Sequence, residues 1–309
     1  MSSTQSEFNT HSFHAALAQH NNARITPGTP SSRWVDDEKL ALAWRLREGH
    51  FIESLRAEVA PMMGQIPRQA NQFVAWFESL NESGPGQHDL LFNWLATDAT
   101  LLQMRWFLTQ EAAGEAGFDD LLACTQVKLP MAAKLECARN FWDEMGHGKA
   151  GAMHGPMLEA MVLALDLGPS IVTTTWQSLA LSNAMLGMAL TRRYAFHSIG
   201  ALGVIELTAP GRMVKVSAGM RRLGMNGKMR AYFDLHAALD VSHSQCWNRE
   251  IIHSLVLADP DCAQSIAEGA LIRLHCGQRC FERYRSHFGL DTTPELQVAA
   301  QVSSQAVFC

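Results

Sequence analysis

His236, Asp240 and His243 lie in one stretch of helical period and are residue types that bind metals. At about 100° per residue, Asp240 falls about 40° to one side of His236 and His243 about 20° to the other, so all three project from a single stripe. Two imidazoles and a carboxylate suit iron, and the interior of a helix bundle is where such groups converge on metals. On its own, a His-xxx-Asp-xx-His stripe would serve equally well as a solvated face, so its context decides.

That context is three glutamates set among apolar neighbours. Glu206 follows Gly-Ala-Leu-Gly-Val-Ile, and its helical neighbours Ile199, Leu202 and Gly203 carry no charge. Glu111 shares a face with Met104, Phe107 and Leu108, and Glu144 shares one with Cys137, Asn140 and Phe141. A carboxylate on a buried stripe needs a partner. Taken singly, Glu111 and Glu144 would also suit the surface near a helix end; the set is more telling than its members.

Past Glu144 the chain reads Met-Gly-His-Gly-Lys-Ala-Gly-Ala-Met-His154. This glycine-broken turn should bring a new helix start, carrying His154, back toward Glu144. His147 is a rival for that imidazole, and Asp143 is a weaker rival to Glu144. Glu111, Glu144, Glu206 and Asp240 together carry four negative charges, which two ferrous ions would balance. Without metal they would repel one another and shift toward protonation, so a two-metal centre is the simplest arrangement that holds them all. Mixed carboxylate and imidazole donors favour iron or manganese over zinc, whose structural sites prefer thiolate. Cys276 and Cys280, four apart on one helical face, read as a packing pair.

The elements that must position these groups are helices. A first opens at Val35-Asp36-Asp37 and runs to Pro61, and further runs are expected over 70–80, 90–123, 131–145, 154–165, 171–207, 212–223, 228–257 and 262–288. No strand pattern bounded by turn pairs interrupts them, and no fixed-period repeat or internal linker divides them. The expectation is an all-α protein: a flexible N-terminal arm over 1–33, rich in Ser, Thr, Asn, Gly and Pro, followed by a single helical domain over 34–309.

With 309 residues, 47% of them hydrophobic and 18% charged, the chain can bury a substantial core. A net charge of -5 gives no basic excess for a phosphate backbone, so nucleic-acid partners are not expected. No apolar run is long enough for a membrane span, and the start MSSTQSEFNTHSFH lacks the pattern of a secretory signal. Seven scattered cysteines add to the expectation of a cytoplasmic protein.

Between about Leu90 and His253 the chain resembles the haem-oxygenase-like diiron oxidases and oxygenases, the iron-containing redox enzymes. The pieces that carry the resemblance are QEAAGEAGF around Glu111, NFWDEMGHGKAGAMH from Asn140 to His154, GALGVIELTAP from Gly200 to Pro210, and FDLHAALDVSH from Phe233 to His243. The resemblance implies a seven-helix haem-oxygenase-like bundle, here with an N-terminal extension, and a homodimer. It implies that Glu111, Glu144, His154, Glu206, His236, Asp240 and His243 are metal ligands and the catalytic set. It further implies two Fe(II)/Fe(III) ions, O2 as co-substrate, an external electron donor, and a small amino-acid-like or amine/carboxylate substrate in natural-product biosynthesis, undergoing N-oxygenation or oxidative C–C cleavage.

Two other classes compete with this reading: a cofactorless enzyme of the same helical fold, thiaminase-like or quinone-cofactor-synthesis-like, and a noncatalytic helical interaction protein. Met104, Phe107, Ile199 and Leu202 are candidate apolar walls that keep water out. Arg192 lies fourteen residues from Glu206, about 21 Å along a helix axis, too far to hold a small substrate. Arg105, Arg139 and Arg212 read as surface or structural cations.

Overall fold

Ala-, Leu- and Met-rich runs without β-branched clusters favour helix. Helices are what the computed structural model contains over its described residues, 7–114 and 117–290, with no strand among them. In chain order they are α1 (His11–Ile25), α2 (Trp34–Val59), α3 (Ala70–Ser83), α4 (Leu90–Thr97), α5 (Leu101–Gly114), α6 (Phe118–Thr125), α7 (Met131–Glu144), α8 (His154–Ala164), α9 (Trp176–Leu190), α10 (Ala195–Arg222), α11 (Gly227–Cys246), α12 (His253–Ala258) and α13 (Cys262–Phe288). A π-helical turn, Trp247–Ile252, joins α11 to α12. The all-α class holds over the described residues. The helical segments do not correspond one-to-one with a count of seven, because loops split several of the expected runs.

The run expected over 90–123 is three helices. Thr100 and Gln103 form a capping box: Thr100 N donates to Gln103 Oε1 at 2.9 Å, and Gln103 N donates to Thr100 Oγ1 at 3.4 Å, which starts α5 afresh. The opposite correction applies at Pro210. The expected runs 171–207 and 212–223 leave a break around it, yet α10 runs through Pro210 to Arg222. Proline inside a helix costs about 3 kcal/mol. Here α10 is buried on both sides of that point, including Val204, Ala209 and Val216, and its packing against α4, α11 and α13 outweighs the cost.

Of the arm expected over 1–33, residues 7–33 are described, and part of them is helical. Within them α1 is capped by Thr10, whose side chain accepts from Phe13 N, and it buries Phe13, His14, Leu17 and Asn21 against α9 and its neighbours. Two of those four are polar, which hid the stripe in the sequence. Asn21 Nδ2 donates to Asn183 Oδ1 at 2.9 Å, and Asn183 Nδ2 donates to the His14 carbonyl at 3.0 Å, so their burial leaves them partnered. At the other end, residues 291–309 of the expected domain lie outside the described residues.

α10 is the axis of the molecule. It crosses α13 so closely that a Cβ at Gly200 would lie 1.9 Å from the Ile266 carbonyl oxygen, so only glycine fits there. Two apolar cores flank it. One is built on Phe51, Phe77, Ile199, Trp247 and Ile266, the other on Leu91, Met104, Phe107, Val216 and Phe233. No helix among the described residues is long and apolar enough to cross a membrane.

Candidate metal centre

Each candidate ligand arrives on a helix for a local reason. Glu144 ends α7, and the turn after it doubles back through three successive left-handed residues: Gly146 at φ 59°, His147 at 53° and Gly148 at 79°. A Cβ on Gly146 would lie 2.4 Å from the Ala152 carbonyl carbon, so the turn needs glycine. Its effect is to start α8 at His154, whose Nδ1 lies 2.7 Å from Glu144 Oε2. The return predicted from the glycines is the one observed. Glu206 projects from the middle of α10, and His236, Asp240 and His243 from one stripe of α11.

These side chains converge as two buried clusters. Glu144, His154 and His236 form one, and Glu206, Asp240 and His243 the other; within each, the potential ligand atoms all lie within 4.8 Å of one another. Six of the seven expected ligands are thereby brought together. Glu111 is not in either cluster. It lines the same cavity as Glu144, Glu206, His236 and Asp240, and its carboxylate accepts a hydrogen bond from Tyr284 Oη at 3.2 Å. His147 is placed elsewhere: its ring is 65% exposed and pairs with Asp143 at 2.8 Å, leaving His154 as the imidazole beside Glu144.

Neighbouring groups orient the imidazoles. His236 Nδ1 lies 2.7 Å from the Tyr232 carbonyl, which holds the proton on Nδ1 and leaves the Nε2 lone pair free. His243 Nε2 lies 3.0 Å from Asp143 Oδ2, so Nδ1 is the atom turned toward Glu206, at 3.5 Å from Oε2. Asp143, expected only as a rival ligand, is thus the residue that aims His243. Asn140, not singled out as a donor in the sequence, gives its Nδ2 hydrogen to Glu206 Oε1 at 2.8 Å. That Asn140 and Asp143 sit four residues and one residue before Glu144 on α7 was readable; their aim was not, because it depends on where α7 lies against the helices that carry His243 and Glu206.

The electrostatics are those of a site short of positive charge. Burial, then the like charges of Glu206 and Glu144, push Asp240 far above the usual carboxylate range, and no described residue donates a hydrogen bond to it. Burial also raises Glu144. His236 is lowered to about 4 by burial and by the neighbouring imidazoles, so it stays neutral with its lone pair available. Burial pulls His243 down, but its contacts with Glu206 and Asp143 and the charge of Asp240 outweigh this and raise it. His154 Nδ1 and His243 Nδ1 are buried and face carboxylates, Glu144 Oε2 at 2.7 Å and Glu206 Oε2 at 3.5 Å. Imidazole nitrogens packed against buried, under-compensated carboxylates are what a cationic metal would satisfy, and the donor set fits iron.

The cavity reaching both clusters is walled by Phe107, as expected, but also by Phe92, Phe118, Leu121, Met185 and Phe233. Met104, Ile199 and Leu202 are buried in the cores instead. Arg212, expected as a surface or structural cation, lines the cavity, as does Arg273, which the sequence did not single out. Arg192 is structural: it caps α6 by donating to the Thr125 carbonyl at 3.1 Å and to that of Val127 at 2.5 Å. Cys276 and Cys280 are buried free thiols, with Cys276 pushed up to about 12 by burial, in keeping with a packing role.

A family model described as iron-containing redox enzyme matches residues 105–278, which contain both clusters. A solved structure of a CADD-like protein of unknown function from Nostoc punctiforme is similar over 78% of this chain and 98% of its own, at 15% identity and a TM-score of 0.49. None of the curated proteins matches.

Proposed function

The chain belongs to the iron-containing redox enzyme family, and from that premise we propose that it is a non-haem diiron, O2-dependent oxidase or oxygenase acting on a small organic substrate. The observation that carries the reading is the pair of buried three-residue clusters, one with two imidazoles and a carboxylate and the other with two carboxylates and an imidazole. Glu144, His154 and His236 would hold one iron, and Glu206, Asp240 and His243 the other. Glu111, on the cavity wall between these groups and Tyr284, is a seventh ligand in this proposal, reaching the centre by a side-chain rotation. Bound ferrous ions supply the electrons with which dioxygen is activated.

The chain's own residues do the rest. Tyr232 and Asp143 fix the orientation of His236 and His243, so the donor atoms are held in place before the metal arrives. Asn140 holds one oxygen of Glu206 and leaves the other facing His243. Phe107, Leu121 and Phe233 keep bulk water from the reacting substrate. N-oxygenation and oxidative C–C cleavage remain the two reaction types proposed, in a natural-product pathway, in a homodimer fed by an external electron donor.

The test is oxygen uptake. Protein loaded anaerobically with ferrous iron should consume oxygen faster in the presence of carboxylate-bearing candidates and stop when a chelator strips the iron. Turnover indifferent to chelators would place the chain with the cofactorless enzymes of this fold.

A further inference from the structure

The cavity has a second polar feature besides the two clusters. Arg212 of α10 and Arg273 of α13 both line it. Neither guanidinium is ion-paired with a described carboxylate. Arg212 donates one hydrogen bond, to Thr208 Oγ1 at 3.0 Å, and Arg273 makes none with any described residue. Arginine is seldom held inside a protein without a partner, because its desolvation is uncompensated. Here two such cations face one space, and the charge on Arg212 is disfavoured accordingly: its pKa is lowered to about 10, by burial first and then by Arg273.

Glu111 is the compensating anion nearby, and it takes its hydrogen bond from Tyr284 rather than from either arginine. The other carboxylates lining the cavity, Glu144, Glu206 and Asp240, belong to the two metal clusters, so at this end two guanidiniums face a single carboxylate and a positive surplus remains. The surrounding wall is hydrocarbon: Phe92 and Phe281 lie under Arg212 with ring centroids 5.9 and 5.6 Å from its guanidinium carbon, and Phe118, Leu181 and Met185 continue it. A ligand that completes this space brings one negative charge with two acceptor oxygens and an apolar remainder. A simple amine would be repelled, and a second carboxylate would be stranded among the aromatic rings.

We propose that Arg212 and Arg273 form the carboxylate-holding end of the substrate pocket, and that the substrate is a monocarboxylate with a hydrocarbon or aromatic body. The inference deepens the diiron reading by taking this cavity as the substrate pocket of that centre, but its test does not depend on turnover.

Calorimetric titration of the full chain, metal-free so that no ion can ligate the probe, should show 3-phenylpropionate and octanoate binding at least about tenfold more tightly than 3-phenylpropanol and octanol. Arg212→Gln and Arg273→Gln should each remove most of that preference while leaving the alcohols unaffected, and Arg273→Lys should restore part of it. Circular dichroism and melting on the same samples confirm folding; if a glutamine variant does not fold, the lysine variant and the native selectivity decide. Alcohols binding as well as the acids, native protein binding neither, or folded variants with undiminished acid preference would each overturn the proposal. Metal stoichiometry separates the two readings: acid preference in a protein that takes up no iron sinks the diiron centre alone, whereas two irons with no acid preference sinks this inference alone.

Discussion

Two buried assemblies of acids and imidazoles share helix α10, and they are resolved in opposite ways. Around Glu268, one oxygen accepts from Arg56 Nε at 2.6 Å and lies 3.0 Å from His197 Nε2, while the other accepts from Gln264 at 3.3 Å. Arg56 also donates to Glu53, which accepts from the Tyr194 hydroxyl. Burial raises Glu268, but these donors outweigh it and bring its pKa down to about 2. Around Glu206, the carboxylates Glu144 and Asp240 are instead pushed up, and Asp240 accepts no hydrogen bond from any described residue. The first assembly is closed within the protein and holds α2, α10 and α13 together. The second is left open, and an open buried site implies a ligand.

The largest effect that would sharpen this contrast is loss of a ligand. Glu206→Ala or His243→Ala should lower iron-dependent oxygen uptake by at least about 100-fold and remove metal from that cluster, while circular dichroism shows native helicity. Unchanged uptake in both variants would break the comparison. Next is Glu268→Ala, which leaves buried His197 without its carboxylate and Arg56 with Glu53 alone. It should cost about 1–3 kcal/mol in urea unfolding with iron content unchanged, and loss of iron there would mean that the two assemblies are not independent.

The third effect is one of pH. His14 is lowered to about 4, by burial above all; with Nε2 on the Phe8 carbonyl at 2.7 Å and Nδ1 facing Asn183, it packs as the neutral ring. Because its folded pKa lies below the ordinary value of 6.5, the unfolded chain takes up the proton first as pH falls. The stability it contributes is whole above pH 6.5 and is lost between there and about 4, up to roughly 3 kcal/mol. Unfolding free energies measured from pH 7.5 to 4.5 should show that slope, and His14→Gln should flatten it. Smaller still, Asp143→Asn should weaken metal binding by about tenfold through misorientation of His243. Smallest, His147→Ala should change stability by less than about 0.5 kcal/mol and leave iron content as it was.

The helical class, α13 from Cys262 to Phe288, and the convergence of Glu144 with His154 were legible because they follow from local rules: helical period, glycine turns and face arithmetic. The Thr100–Gln103 capping box was equally local and equally visible, as Thr-Leu-Leu-Gln, but it sat inside an apolar run that masked it. What could not be read were features set by distant pairings. α1 is buried through Asn21 and His14, whose partner Asn183 is 162 and 169 residues away, and Pro210 is tolerated because three other helices pack on α10. Arg273 and Arg212 share a cavity only because α13 crosses α10. Glu111 was drawn toward the ligands by pattern and resemblance, whereas the fold gives it Tyr284 as its immediate partner.

The central claim is that two adjacent groups of donors, each wanting a cation, meet at one cavity that members of both line. Anaerobic loading of the full chain with ferrous iron, followed by removal of loose metal and elemental analysis, tests it most directly. The account predicts close to two irons per chain, one for each cluster, and about one in Glu206→Ala. No bound iron in the native protein, or an iron content that Glu206→Ala does not lower, would contradict it.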